Sequence, residues 1–442
     1  MRVQPVILHL SADYPNAYRN RTTAVVRNLV EATPGFAHVV ISLKREANPR
    51  RTYLHEEAAC APVRLFAFGY WGLPFGAAHL ASMWLAARRI RALLAQRNLR
   101  PDLIHAHKLT FEGVMAWFLS RWLNVPYVVS LRGEAETKIV RFKPTYRPLI
   151  RRVAHGAQAI FGVSMWFVPE LSRIAPGIAE KIRPLPNLGP LAGAAAVPAP
   201  QPPRFVAILD LNVYRKKGFH WLVPAFARAA SKHPDWTLDV IGWSGERIMR
   251  EAKALVARAG CEGRVRFLGA LPHAQVLAAL PDYTALLLPS VNETFGMVYL
   301  EALFAGVPVL YTAGTGIDGH LDGLNAGVKV RAGNIADIAG GIRELAATAA
   351  QRKAELARRR AELQARFGKE AIVSRYRDAL CRAIAGSGQG IMPSGEEEEI
   401  REQDFPFRTG DAGERFAGSA ARDADQRAAF QPVRTIAEIG KE

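Results

Sequence analysis

The chain alternates short apolar runs with helical stretches, which is the pattern of α/β domains built on parallel sheets. In the first half, the runs Val6–Leu10, His38–Ser42, Val63–Phe68, Leu103–His105, Tyr127–Leu131, Ala159–Val163 and Ile182–Pro186 predict strands. Thr23–Glu31, His79–Gln96 and Phe111–Trp122 predict helices between them. A second series of strands is expected at Phe205–Leu209, Thr237–Ile241, Val265–Leu268, Tyr283–Leu288 and Val307–Tyr311. The stretch Ile335–Ala385 reads as consecutive helices broken at Phe367-Gly368. Two series of this kind predict two Rossmann-like, doubly wound domains whose strand C-terminal edges face a common cleft, where ligands of such sheets bind.

Between the series, Asn187–Pro203 is rich in Pro, Ala and Gly, a composition that marks an exposed linker. The expected division is therefore 1–188 for the first domain, 189–203 for the linker and 204–385 for the second domain with its terminal helices. From Gly386 the chain turns Gly-, Ser- and charge-rich, with Glu396–Glu399 in one run, and 386–442 is expected to be a disordered tail.

A length of 442 residues, about half of them hydrophobic, suits two ordinary cores. The three cysteines, Cys60, Cys261 and Cys381, are far apart and have no metal-ligand spacing, which fits a reducing compartment. Met1-Arg-Val-Gln-Pro leads directly into a strand, so no signal peptide is expected and the location is read as cytoplasmic. The net charge is +18; the tail holds seven basic and twelve acidic residues, a net of −5, which leaves about +23 on residues 1–385. Such a body is drawn to phospholipid, nucleotide phosphates or nucleic acid, and charge alone does not choose among them.

The chemistry concentrates at residues 289–311. Glu293 and Glu301 are separated by seven residues, across a loop that runs from a buried strand into a helix expected at Met297–Phe304. Phe295-Gly296 turns the chain, and Gly306 ends the helix. A carboxylate at a strand edge accepts hydrogen bonds from sugar hydroxyls, while the following helix N-terminus favours phosphate. Downstream of the second domain's first strand, Tyr214-Arg215-Lys216-Lys217-Gly218 sets cations where they would neutralise a departing diphosphate.

The string Pro-Ser-x-x-Glu-x-Phe-Gly, followed by Glu-Ala and Gly-Val-Pro-Val, resembles the Glu-x7-Glu signature of family 4 retaining nucleotide-sugar glycosyltransferases, which have the GT-B fold. The resemblance covers about residues 5–385 and is strongest from 283 to 312. It implies that Glu293 contacts the donor sugar and Glu301 the nucleotide ribose, with Phe295, Gly296, Met297 and Asn187 on the donor side. Lys217-Gly218 matches the end of the family's Arg-x(4)-Lys-Gly element, but Asn212 stands where the family arginine falls. Arg215 is the candidate replacement beside Lys217. The family works without the Asp-x-Asp metal motif, and Asp423-Ala-Asp425 lies in the tail; no metal or cofactor is expected, since the nucleotide sugar is a substrate. The resemblance also implies that the last helix crosses back to the first domain, and that the leaving phosphate takes the acceptor's proton after front-face attack.

On the acceptor side, Pro101-Asp-Leu-Ile-His-Ala-His107 resembles a family strand end, and His107 has two readings, a ligand of a sugar hydroxyl or a cap on the next helix. Arg132 stands where many members carry histidine; an arginine is no general base, but it binds phosphate. The first loop lacks the family's paired glycines and offers Arg19 and Arg21 to phosphate instead. Pro186-Asn187-Leu188-Gly189 resembles the family's Pro-Asn-Gly hinge with its glycine displaced by one.

Two further features bear on location. Phe66–Ala87 is nearly uncharged and carries Tyr70, Trp71, Phe75 and Trp84; Lys138, Arg141, Lys143, Arg147, Arg151 and Arg152 follow in fifteen residues without an acid. Peripheral docking on anionic lipid and an ordinary core helix beside a solvated basic face both fit. The expectation is thus a retaining glycosyltransferase acting on a glycan or lipid-linked acceptor of bacterial surface polysaccharide, peripheral to the inner membrane face, with no nucleic-acid partner. The rivals are a glycosidase using the two glutamates and an inactive member of the fold that binds membrane or nucleic acid.

Overall fold

The structure, a computed structural model, describes residues 4–18, 23–57, 63–73, 78–189 and 198–386. Among them the chain forms two sheets. The first comprises β1 (Val6–Ser11), β2 (Ala37–Glu46), β3 (Tyr53–Glu57), β4 (Val63–Trp71), β5 (Leu103–Ala106), β6 (Tyr127–Leu131), β7 (Ala159–Gly162) and β8 (Ile182–Pro184), in the order 3-4-2-1-5-6-7-8. All neighbours are parallel except the edge pair β3–β4. The second comprises β9 (Arg204–Ile208), β10 (Thr237–Ile241), β11 (Val265–Gly269), β12 (Ala285–Leu287), β13 (Val309–Thr312) and β14 (Gly327–Val330), all parallel in the order 11-10-9-12-13-14. Both orders turn around at the first strand of their series, the switch point at which such sheets open a ligand crevice.

Covering both faces with helices explains why the central strands are continuous apolar runs rather than alternating ones. β6 is buried at all five positions and β5 at all four. Thr237–Ile241 and Tyr127–Leu131 coincide with the expected strands, and the helices His79–Gln96 and Met297–Phe304 with the expected helices. β3 and β14 were not anticipated. Both are edge strands with polar residues, and β3 is tied down by register: Tyr53 pairs with Gly69, and a side chain on Gly69 would meet the Tyr53 ring at 2.4 Å.

The C-terminal stretch divides into helices Ile335–Arg358, Arg360–Phe367 and Lys369–Ala385. Asn334 starts the first by accepting from the Asp337 amide at 3.0 Å. In the last, Ile372, Tyr376, Ala379, Leu380 and Ala383 form one apolar stripe. That stripe packs against Ile7, Leu103, Val128 and Phe161 of the first sheet, so the final helix does cross back.

Most of the described part of the apolar stretch, 66–73 and 78–87, is core, although Leu85 is 44% exposed. Phe66, Phe68 and Tyr70 are buried in β4, and Met83, Ala86 and Ala87 lie on the buried face of helix His79–Gln96. No helix among the described residues is long and apolar enough to cross a membrane. Residues 190–197 of the expected linker, all of the expected tail after Gly386, and Phe75 lie outside the described residues.

Candidate active site

At the C-terminal edge of the second sheet, two loops are knitted together. The Val291 amide donates to the Lys216 carbonyl at 2.8 Å. Gly218 holds φ +72°, and a Cβ there would lie 1.9 Å from the Pro289 carbonyl oxygen. Only glycine permits that approach, and it brings Lys217 beside the loop that carries Glu293. The Lys217 ammonium donates to the Glu293 carboxylate, and the two side chains are 22% and 14% exposed. The pair is accessible from the cleft yet largely shielded from solvent screening.

A third loop fixes Glu293. After β13 the chain runs Ala313-Gly314-Thr315-Gly316; the Glu293 amide donates to Thr315 Oγ1 at 2.7 Å, and the Gly316 amide donates to the Glu293 carbonyl at 2.9 Å. Gly296, with φ +81°, begins helix Met297–Phe304, and a side chain there would strike the Tyr299 ring at 2.6 Å. Glu301 lies on that helix, and its carboxylate meets His273 Nε2 at 3.0 Å. Met297 is partly exposed at the first helical position, whereas the Phe295 side chain is buried edge-on against His320. Phe295 therefore anchors the turn and offers no side-chain surface to a ligand.

Arg215 is exposed, its guanidinium 5.4 Å from the centre of the Tyr214 ring. Asn212, at the position of the family arginine, is held by Asp210 and accepts from the Gly245 amide. The two sheets meet around these loops. Glu134, at the start of helix Glu134–Phe142, bonds Lys216 Nζ at 3.1 Å; Ser164 Oγ donates to the Thr294 carbonyl at 2.6 Å; His320 Nε2 donates to the Val163 carbonyl at 2.9 Å. Burial opposes ionisation of Glu134, but Lys216 and Lys138 hold its carboxyl below the usual range.

On the first sheet, His107 is fully buried and is not presented to the cleft. His38 Nε2 lies 3.0 Å from the Thr33 carbonyl and must donate to it. Neutral His38 then accepts at Nδ1 from His9 Nε2 at 3.0 Å, and His9 accepts at Nδ1 from His107 Nε2 at 3.1 Å. The carbonyl thus sets three tautomers in series and leaves His107 Nδ1 a buried acceptor without a partner among the described residues. His105 joins Ser130 and Tyr376 at 2.8 and 2.6 Å. The nitrogens of His9, His105 and His107 are close enough for a shared ion, but both nitrogens of His9 and of His105 are already engaged. Burial, with neighbouring charges, pushes all three rings toward the neutral form. The cluster is a structural polar core.

Arg132 is also buried, donating from Nε to the His107 carbonyl at 3.1 Å, and it shares a small crevice with Ser130, Pro186 and Asn187. Arg21, like Arg19, lies outside the described residues. Sequence reasoning overlooked Thr315, Glu134 and Ser164, and it read Lys216 as one of the cations after the strand without its Glu134 partner. A Gly-Thr-Gly after a strand was a readable signal for the first; the others become visible only when the sheets meet.

Two parallel-sheet, Rossmann-like domains, with these loops knitted together at the edge of the second sheet, define the class of fold. Residues 19–188 match the model of the glycosyl transferase 4-like domain, and residues 202–348 match that of the glycosyl transferases group 1. The chain belongs to the group 1 nucleotide-sugar glycosyltransferases, with the GT-B fold. It is 28% identical over 363 residues to a glycogen synthase of Mycobacterium tuberculosis, covering 75% of this chain and 84% of the relative. Sucrose-phosphate synthase from Thermosynechococcus elongatus shares the fold with a TM-score of 0.64 at 20% identity, over 86% of this chain and all of that one. An Anabaena protein solved with UDP and glucose shares it with a TM-score of 0.59 at 18% identity, over 85% of this chain and 99% of that one.

Proposed function

We propose that the enzyme is a retaining hexosyltransferase that takes a UDP-sugar on residues 204–385, beyond a linker at 189–203, and delivers the sugar to an acceptor held by residues 1–188. The observation that carries the reading is the Lys217–Glu293 pair beside the start of helix Met297–Phe304. A half-shielded ammonium at that point stabilises the negative charge that builds on the diphosphate as the sugar leaves. Glu293 orients the sugar through its hydroxyls, and Glu301, one turn into the helix, accepts from the ribose. In the transfer the acceptor oxygen bonds to the anomeric carbon, the bond from that carbon to the diphosphate oxygen breaks, and the acceptor's proton passes to the leaving phosphate. Arg215 is assigned a supporting role toward the diphosphate, Asn187 a place on the donor side and Arg132 one on the acceptor side.

The acceptor is proposed to be a lipid-linked glycan at an anionic membrane face. Phe142 is 73% exposed between Arg141 and Lys143, on a surface that also carries Lys138, Arg147 and Arg151. An exposed aromatic ring among several cations, of which Lys138 is paired with Glu134, suits a membrane surface better than bulk water. The test is release of nucleoside diphosphate across a panel of sugar nucleotides, with and without membrane lipid extract. UDP release that requires Glu293 supports the reading; no release from any donor defeats it.

A further inference from the structure

The two domains are joined in two different ways. One is apolar: the stripe of helix Lys369–Ala385 packs on Ile7, Leu103, Val128 and Phe161 of the first sheet. The other is a polar seam that lies against the Lys217–Glu293 pair. Hydrophobic burial is non-directional, whereas hydrogen bonds fix distance and angle, so the seam is the part of the interface able to set positions.

Residues 163–166, which leave β7, all meet the second domain. The Val163 carbonyl accepts from His320 Nε2 at 2.9 Å, and Ser164 Oγ donates to the Thr294 carbonyl at 2.6 Å. A side chain on Gly319 would come within 3.0 Å of Met165 Cβ, and Trp166 Nε1 lies 3.4 Å from the same Thr294 carbonyl. The segment leaving β6 adds a further contact, Glu134 to Lys216 Nζ at 3.1 Å. These two segments support each other, since Gly133 holds φ +73° and a Cβ there would lie 2.3 Å from the Trp166 ring and 3.0 Å from Ser164 Cβ.

The places these contacts reach are specific. Thr294 follows Glu293 and Lys216 precedes Lys217, so the first domain touches the immediate neighbour of each member of the pair. Gly319 and His320 belong to the same loop as Thr315 and Gly316, which bond the Glu293 backbone. His320 also packs edge-on against Phe295. Ser164 is fully buried, while the side chains of Glu134 and Lys216 are 34% and 36% exposed. An ion pair that open contributes little to stability; its consequence is where the Lys216–Lys217 segment sits.

We propose that Ser164 and Glu134 are positioning residues: from the first domain they hold Thr294 and Lys216, and through them they set the Lys217–Glu293 pair in its working geometry. The inference rests on the glycosyltransferase reading of that pair. Neither side chain has to touch the sugar nucleotide, because each acts through the residue beside a member of the pair. The donor's proposed contacts lie on the second domain, so loosening the seam should leave donor binding in place and slow the step that needs accurate placement. A displacement on the order of 1 Å at such a site costs about 10²-fold in rate.

The experiment uses the full chain carrying Ser164→Ala, Glu134→Ala or Glu134→Gln, and measures UDP affinity, hydrogen exchange, and kcat and KM with the sugar nucleotide that wild type turns over. Ser164→Ala and Glu134→Ala should each lower kcat about tenfold or more, with donor KM and UDP affinity within about twofold of wild type. Glu134→Gln, which keeps an oxygen facing Lys216, should recover most of the loss. Exchange of peptides covering 290–297 and 313–320 should quicken about tenfold in Ser164→Ala, while unchanged exchange in β9 and β10 reports that the fold persists. UDP affinity falling in step with kcat would make these residues part of the donor site and overturn the proposal. Wild-type kcat in both alanine variants, or unchanged exchange at 290–297, would overturn it too. If wild type releases nucleoside diphosphate from no donor, the transferase reading falls, and the exchange comparison still decides whether the first domain holds the loops beside the pair.

Discussion

Lys217 and Glu293 come from loops 76 residues apart in sequence, yet their side chains form an ion pair at the edge of the second sheet. The topology makes this possible, because β9 and β12 are adjacent and parallel, so the loops leaving their C-terminal ends lie side by side. In the resting enzyme each charge supplies the other's partner. In the proposed reaction, a sugar nucleotide would exchange this pair for contacts to its phosphate and hydroxyls.

Removing either member should cripple turnover. Glu293→Ala and Lys217→Ala are each expected to lower kcat by about 10²–10³, or roughly 3–4 kcal/mol. Thermal midpoints should change little by comparison, because both side chains retain access to solvent. Near-normal kcat at saturating donor in either variant would remove that residue from the site.

Glu301→Ala should behave differently. Ribose contacts are similar before and during transfer, so their loss weakens binding without slowing the step. The expected result is a raised KM for the donor and a kcat within a few-fold of wild type. Its neighbour His273 is 68% exposed and should contribute little alone.

Gly218→Ala tests the packing that sets the pair. The new methyl group would lie far inside contact distance of the Pro289 carbonyl oxygen, at a positive φ that L residues seldom adopt. A loss of about 2 kcal/mol or more is expected, with activity falling because Lys217 moves. Chemical denaturation together with kcat measures both; an unchanged unfolding midpoint would contradict the close approach.

Two sets of buried groups make stability depend on pH with opposite signs. Burial, with Lys143 for His79 and Arg132 for His105, lowers the folded values of His79 and His320 to about 4 and of His105 to about 3. Below about pH 6.5 the unfolded chain takes up protons that these rings refuse. The contribution of these rings is thus full above 6.5 and declines toward pH 4, by about 1.4 kcal/mol per pH unit for each such ring. Glu112 has the opposite sign: its folded value is raised to about 8, so its protonated form favours folding at low pH, and that contribution is lost as pH rises from about 4.5 to 8. Glu112→Gln should therefore raise the thermal midpoint at pH 8 and change it little at pH 5. An equal gain at both values would show that ionisation of Glu112 is not the cause.

What the sequence disclosed, and what it hid, follows from how far each feature depends on neighbours distant in the chain. The strand–loop–helix unit around Glu293 was legible because its apolar run, its Gly296 turn and its helix are all local. Lys217 was legible as a cation after a strand, but not as the partner of Glu293, which needs the adjacency of β9 and β12. His107 was misleading. A histidine at a strand end reads as exposed, and only the register of β1, β2 and β5 shows it stacked into a buried chain with His9 and His38. The stretch 66–87 left two readings open for the converse reason, since a strand and helix buried on the same core carry the apolar content of a membrane-facing segment; the core reading is the one the burial of Phe66, Phe68 and Met83 supports. A cavity beside Glu112 left no mark in the sequence, because its lining comes from at least five separate segments.

The membrane reading now rests on Phe142 rather than on the aromatic stretch, and it can be tested on that residue. Helix Glu134–Phe142 ends with this ring at the surface, and helix Arg147–Gly156 turns Arg147 and Arg151 outward while burying Ile150 and Val153. The basic residues are exposed, so their attraction to anionic lipid is screened over about 8–10 Å at physiological ionic strength and should weaken with salt. The apolar contribution of Phe142 should not. Co-sedimentation with vesicles containing anionic lipid is expected for wild type, reduced by salt and by Arg147→Gln/Arg151→Gln, and reduced by Phe142→Ser in a manner that salt does not reproduce. Binding that is equal on neutral and anionic vesicles, or absent from both, would leave an acceptor delivered from solution as the better account of how the first domain is supplied.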